Sequence, residues 1–437
     1  MSRAPQAVTV TTTDLPIRRQ VLFLAKLFPW PLNNGARQRV FHLARALAER
    51  HDMRMIIHDA APSDAVLDAF QDACGCSQVD FIPRAAPATS AGVGVFRRRL
   101  RSLRLRLSYL PEFVQVTWTR ALVDDIRALV EHHPIDVVFA TQSWMAEHAR
   151  AAGVDTIIVD VDDLLSVMSR QLVSASGWRL RTPIDYLDAV RDRFYERSLP
   201  SRFAHVVVAK TEDRSFFRSR DRDRTSVVEN GTRIAMEPLP EPAVADTLIF
   251  VGALEYEPNV DAVRWFATDV LPRIWAARPD VRLIVAGFGS GHEVRDVLDD
   301  PRCTLHESPP NLAPLYARAS VVVAPVRMGS GTRIKILEAL AYGRATVSTR
   351  FAAEGLGLRE GTDLEFADTP QSITAHCVAL LGDRDKRRAL AAEGRAHVAR
   401  RFDWARVTAD VPELVARVVG ERSEDHQARR PAAATQR

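Results

Sequence analysis

Ala324 to Thr349 reads APVRMGSGTRIKILEALAYGRATVST, and the order of residue types in it decides the fold. A buried strand ends near Val326. Gly329, Ser330, Gly331 and Thr332 then leave little side chain in the way, and an amphipathic helix is expected from about Lys335 to Ala341, followed by the strand ATVST. Glycines let a backbone approach a phosphate closely, free N–H groups at a helix start point outward, and the helix dipole places about half a positive charge there. Arg327, Arg333 and Lys335 add formal charge, so the spacing predicts a diphosphate site. Glu338 follows about one turn later, where a carboxylate can accept two hydrogen bonds from a vicinal diol such as a ribose. The same residues also read as plain punctuation: a flexible loop capped by Thr332, solvated cations and an ordinary helical Glu338.

Working outward, strand and helix patterns alternate on both sides of this stretch, as they do in doubly wound parallel sheets. VLFLAKLF (21–28) opens the first half, and a loop, PWPLNNGA, leads into a helix near Arg37 whose stripe is Val40, Leu43, Ala44 and Leu47. MRMIIHDA, IDVVFAT, DTIIVDV and AHVVVAK supply further strands. The pattern restarts at DTLIFVGAL (246–254) after the Pro-rich MEPLPEPAVAD, and continues through a helix around Val260 to Ala277, then VRLIVAGFG, CTLHES and SVVVAPV. At 437 residues the chain exceeds what one core usually serves. The expected organisation is a tail over 1–19, a first domain over 20–234, a linker over 235–245, a second domain over 246–402, a C-terminal helix over 403–420 and a polar tail over 421–437.

The bulk properties exclude several classes. No apolar run reaches the roughly 18 to 20 residues that span a bilayer, and the N-terminus lacks the basic-then-apolar order of a secretory signal, so a cytoplasmic location is expected. Cys74, Cys76, Cys303 and Cys377 show no zinc spacing and are expected as reduced, unligated thiols. Net charge is only +4, but six arginines crowd FRRRLRSLRLRLSYL (96–110), with Leu100, Leu103, Leu107 and Leu110 on one helical face. That is either a helix for an anionic membrane surface or a core-facing helix with a solvated basic side. Nucleic acid is not expected, because no aromatic interleaving or reader motif accompanies the charge.

GSGTRIKILEALAYGRATVST with EGL (354–356), and LIFVGALEYEPNVDAVRWFATDVLPRI, resemble the corresponding segments of retaining GT-B glycosyltransferases of family four, the group 1 transferases. FPWPLNNGARQRVFHLARALAERH and VVENGT are similar to first-half segments of that family, and the nearest likeness is to its exopolysaccharide-associated subgroup. The resemblance implies an α/β GT-B fold, two Rossmann-like doubly wound domains facing across a cleft, with the last helix crossing back to the first domain. It implies a nucleoside diphosphate sugar as donor, a glycan or lipid-linked acceptor, and retention of configuration. Glu338 would match the second carboxylate of the family's E-x7-E motif, the one that contacts ribose. The first is replaced by Ser330, and a basic pair usual after the domain's first strand is absent from ALEYEPN, which leaves Arg333 and Lys335 as the expected diphosphate partners and catalytic cations. The donor set implied is Gly35, Gly252, Asn259, Gly287, Gly329, Ser330, Gly331, Thr332, Arg333, Lys335 and Glu338.

Three other motifs bear on the chemistry. Asn34, Gly35 and Arg37 sit in a loop that the resemblance brings to the cleft, Asn34 and Arg37 on the acceptor side; Asn-Gly is equally a turn signal. Asp160, Asp162 and Asp163 end a buried strand, and D-x-D can hold magnesium on a diphosphate. With Arg333 and Lys335 already answering the phosphate charge, no metal is expected; Asp162 is assigned a catalytic part and Asp163 an acceptor contact. VAGFGSGH (285–292) lacks the third glycine of a dinucleotide fingerprint, having His292 there, so hydride chemistry is not expected. A nucleotide-sugar epimerase of the same fold and a non-catalytic sugar-nucleotide-binding protein are the alternatives.

Overall fold

The structure, a computed structural model, describes residues 17–84, 110–167, 182–234, 237–242, 246–329 and 334–429. The basic stretch beginning at Phe96 lies outside these residues except for Leu110, as do Ser330, Gly331, Thr332 and Arg333.

In the first domain the strands are β1 (Gln20–Ala25), β2 (Asp52–Ile57), β3 (Gln78–Phe81), β4 (Val137–Thr141), β5 (Ile157–Val161), β6 (His205–Val208) and β7 (Thr225–Val227). They form one parallel sheet in the order β3-β2-β1-β4-β5-β6-β7. Period-2 alternation divides β1 between two cores: Val21, Phe23 and Ala25 face one helical layer, Leu22 and Leu24 the other. The two edge strands carry no buried apolar run, which is why the sequence pattern does not announce them. The second domain repeats the design with β8 (Thr247–Val251), β9 (Arg282–Gly287), β10 (Cys303–Glu307), β11 (Val321–Ala324), β12 (Ala345–Ser348) and β13 (Glu365–Phe366), parallel and in the order β10-β9-β8-β11-β12-β13. In each sheet the chain order reverses beside the opening strand, the place where crossovers diverge and leave a crevice at the carboxyl ends.

The helix expected over Val260 to Ala277 is present as Glu257–Trp265 and Leu271–Ala277, joined by a π turn at Phe266–Val270. Pro272 lacks the N–H that would continue the α ladder, which accounts for the shift.

The chain crosses between domains twice, side by side. Thr232 N donates to Phe402 O at 2.7 Å, and Thr232 pairs with Asp403 in an isolated bridge. Beyond this crossing, Val411, Leu414, Val415, Val418 and Val419 pack into the first domain's core with Val40, Leu43, Ala44 and Leu47. The last helix runs Val411–Arg429, so the polar tail expected from Glu421 is helical for its first nine residues. Once its apolar half is docked, each added residue gains a hydrogen bond without a new nucleation cost. The Pro-rich linker is not a free tether in its described part: Leu239 N donates to Tyr342 O, Arg344 to Pro240 O, and Arg387 pairs with Glu241, all on the second domain. The four cysteines are unbridged, and burial pushes the Cys74 thiol up to about 12.

Glu196, on the helix Thr182–Arg202, shows what burial does to a carboxyl in this fold. It accepts hydrogen bonds from Leu165 N, Ser166 N and Ser166 Oγ, yet desolvation dominates and pushes it from 4.5 up to about 7. Its proton is therefore kept on folding between these values, and the stability it provides is present below pH 4.5 and lost as pH rises through 7. Unfolding titrations from pH 5 to 8 are expected to show a decline of about 3 kcal/mol that Glu196→Gln removes. A slope unchanged in the variant refutes the assignment.

Candidate functional site

The carboxyl ends of β1, β5, β8, β9 and β11 meet across the domain boundary around a cleft of about 300 Å³. Asn34, Gly35, Asp162 and Asp163 enter it from the first domain; Gly252, Asn259, Gly287, Gly329, Lys335 and Glu338 enter from the second. Every expected site residue within the described set except Arg37 and Arg327 lines this space, although they come from segments as far apart as Asn34 and Glu338.

The second-domain wall is built on glycine. A Cβ on Gly287 would lie 1.7 Å from Gly252 O, and one on Gly252 would lie 2.8 Å from the Asn259 amide, so the loops after β8 and β9 touch backbone to backbone. Gly287→Ala cannot be relieved by turning a side chain. It is expected to cost about 1 to 3 kcal/mol, read as a lower urea midpoint, and to open the cleft floor. An unchanged midpoint counts against this packing.

Asn259, buried on the helix Glu257–Trp265, donates through Nδ2 to Ala253 O at 2.8 Å and accepts through Oδ1 from Lys335 Nζ. Its amide thus ties the β8 loop to the lysine, and its part in the site is to hold Lys335. The ammonium also lies 5.2 Å from the centre of the Phe250 ring. Lys335, Glu338 and Tyr342 recur at helical spacing along the helix Ile334–Ala341 and its end, so one face presents cation, carboxylate and aromatic ring in that order. Arg327 does not join them: it forms an ion pair with Asp261 at 2.7 Å and lies over the Trp265 ring, so the sequence expectation of three cations at the loop is corrected at this residue.

Glu338 accepts from Gln38 Nε2 at 2.7 Å, a bond between domains. Burial raises its pKa, and the Gln38 donor works against that rise. A second cavity of about 210 Å³ shares Glu338, Asn33 and Leu312 with the first and extends past Tyr342, Arg233 and Pro309 to Asn311.

In the first domain, Asn34 caps the helix Gly35–Arg50 by accepting from Arg37 N at 2.9 Å. A Cβ on Gly35 would come within 2.3 Å of Ile334 Cδ1, so the domains meet closely at this glycine. Arg37 donates to Asn33 Oδ1 and its guanidinium lies 5.8 Å from the Phe288 ring across the cleft mouth.

The D-x-D reading fails at its first carboxylate. Asp160 is buried and doubly bonded to Arg39, which also donates to Val228 O and Asn230 Oδ1. Asn230 Nδ2 in turn donates to Asp162 Oδ1 at 2.7 Å. Asp160 therefore answers a buried guanidinium, and Asp162 alone of that pair faces the cleft. Arg39, Asn230 and Gln38 are the residues the sequence reading missed. The apolar stripe of the first helix gave no signal for them: Gln38 falls on the face opposite Val40 and Leu47, and the Asp160, Asn230 and Glu338 partners of Arg39 and Gln38 stand 121 to 300 positions away.

Residues 245–383 match the model of a family described as Glycosyl transferases group 1. A curated relative, an uncharacterized 44.6 kDa protein in the cps region of Klebsiella pneumoniae, is 27% identical over 139 residues, 30% of this chain and 36% of the relative. The match thus spans about a third of that relative's length. Among solved structures, Anabaena Alr3699/HepE in complex with UDP and glucose is 13% identical at a TM-score of 0.61, covering 92% of this chain and 100% of the other. Sucrose-phosphate synthase from Thermosynechococcus elongatus is 16% identical at 0.61, covering 94% and 100%. A glycosyltransferase from Rickettsia africae is 11% identical at 0.59, covering 92% and 99%. At these identities the likeness is one of fold, and the fold is GT-B.

Proposed function

We propose, from a group 1 glycosyltransferase domain set in a GT-B fold, that the chain moves a sugar from a nucleoside diphosphate sugar to a glycan or lipid-linked acceptor, with retention of configuration. The observation that carries this is the ordered face of one helix: Lys335, then Glu338, then Tyr342, with Glu338 shared by two adjoining cavities. A nucleotide whose ribose sits at Glu338 reaches Lys335 with its diphosphate and Tyr342 with its base. The donor sugar then lies toward Gly35 and the Asp162 and Asp163 carboxylates, and the acceptor enters from the first domain. Anabaena Alr3699/HepE has been solved with UDP-glucose and with UDP, which supports this donor class. The cps region named for the K. pneumoniae relative supports a place in surface polysaccharide assembly.

Breaking the bond to the sugar builds charge on the departing diphosphate. Lys335, together with Arg333 and the amides of 329–332, meets that charge without a metal in this reading. Gly35 packs against Ile334 across the domain boundary, and closer approach of the domains there would exclude water and so favour transfer over hydrolysis.

The test is a thermal-shift and calorimetric panel of UDP, GDP, ADP and their sugars on the purified chain, followed by a transfer assay with the donor it selects. One nucleotide is expected to raise the melting temperature. Glu338→Ala is expected to weaken that nucleotide by roughly 10-fold. Isomerised donor without acceptor identifies an epimerase, and binding without turnover a non-catalytic protein. Absence of binding, or equal affinity in Glu338→Ala, refutes the reading.

A further inference from the structure

The hydrogen bond from Gln38 to Glu338 joins the first helix of one domain to the site helix of the other. It exists only while the domains are together. Gln38 is itself buried and gripped: its Nε2 lies 3.4 Å from Leu32 O, and its Oε1 accepts from Trp404 Nε1 at 3.5 Å. Trp404 stands on the second interdomain crossing and stacks on His42 at 4.7 Å. The other oxygen of the carboxylate, Oε2, has no hydrogen bond among the described residues, and Glu338 lines both cavities.

We propose that Gln38 is a positioning residue for the Glu338 carboxylate: an amide carried by the opposite domain occupies Oε1 and leaves Oε2 aimed at the nucleotide. This rests on the reading of the cleft as a nucleotide-sugar site and adds a consequence, since the ligand contact is completed only when the first domain arrives. Binding and domain approach are thereby linked, because a bond present in one arrangement and absent in the other favours the arrangement that has it.

The surroundings make the amide matter. Facing the carboxylate are Lys335 one turn earlier and Tyr342 one turn later on its own helix, Tyr316 from the helix Ala313–Arg318, and Arg233 and His42 across the second cavity. Burial, with Arg45 and Arg233 nearby, holds His42 down at about 3, so it stays uncharged near neutrality and its stack on Trp404 does not titrate there. Removing the Gln38 donor removes the carboxylate's one hydrogen bond among the described residues.

Gln38→Met retains the side-chain length and volume but not the donor, and Gln38→Asn retains an amide that falls short by one methylene. Calorimetry with UDP, GDP and ADP between pH 5.5 and 9 is compared with the unsubstituted chain. For whichever nucleotide that chain binds, both variants are expected to bind roughly 10-fold more weakly at pH 7. Their affinity is expected to fall off at a higher pH than in the parent, because a carboxylate without its donor takes up a proton earlier as pH drops. A role in packing alone predicts that Met restores affinity and that the pH profile does not move; either result overturns the proposal, and each variant can show it if the other does not fold. Failure of the unsubstituted chain to bind any of the three nucleotides is a different outcome, which refutes the site itself.

Discussion

Lys335→Ala is expected to lower kcat/KM for sugar transfer by roughly 10- to 100-fold, the worth of about 1.5 to 3 kcal/mol for a charge-assisted hydrogen bond. The structure makes this the sharpest single test of the chemistry because the lysine is already held. Asn259 Oδ1 accepts a hydrogen bond from its ammonium, Asn259 in turn donates to Ala253 O, and the Phe250 ring lies beneath the ammonium. A cation fixed before the reaction spends nothing on reorganising when charge develops on the diphosphate. Asn259→Ala is expected to show part of the same loss through the freed lysine. Arg327→Ala serves as the control: its guanidinium belongs to Asp261 and Trp265, so initial rates within about 2-fold of the parent are expected. Equal rates in Lys335→Ala and the parent remove the lysine from the mechanism.

The largest expected effect on stability lies beneath the other wall of the cleft. Arg39→Ala is expected to destabilise the first domain by about 3 to 5 kcal/mol, since it strands the buried Asp160 carboxylate without its partner. Urea unfolding measures it. The loss reaches further than the pair, because Arg39 also fixes Asn230, and Asn230 fixes Asp162 at the cleft. Removing both Arg39 and Asp160 is expected to cost less than the sum of the two single changes, as groups within one network are coupled. Strict additivity argues that Arg39 and Asp160 are not coupled to each other and that the buried pair is not what holds this part of the domain.

The contrast between these two residues shows what a sequence can announce. Lys335 follows a glycine loop and opens a helix of strong period, so spacing puts it among the candidates and the family resemblance singles it out with Arg333. Both sheets were legible for the same reason: β1, β4, β8 and β11 are continuous apolar runs that only a doubly covered parallel sheet buries. Edge strands β3, β7 and β13 were silent because half-exposed, short pairings leave no such run. Arg39 was silent for another reason. Its partners stand 121 and 191 positions away, and nothing in the local pattern says that a helical arginine is turned inward to meet them. The role of Asp160 was hidden in the same way: the sequence reading gave it none, and its buried cation is visible only in the fold. Gln38 and Trp404 belong with them, because contacts between domains depend on how two sheets face, which the order of strands does not state.

The docking of Val411 to Val419 on the first domain has a temporal side. Ribosomes release residues in order, so the domain made first waits, with an apolar groove open, for a helix made after the second domain. Until then it is an incomplete fold that other sticky chains can occupy. A stop codon shortly after Phe402 therefore does not yield a tidy pair of domains minus an ornament; it leaves the older half permanently unfinished, so a lesion beyond the second domain strikes the first.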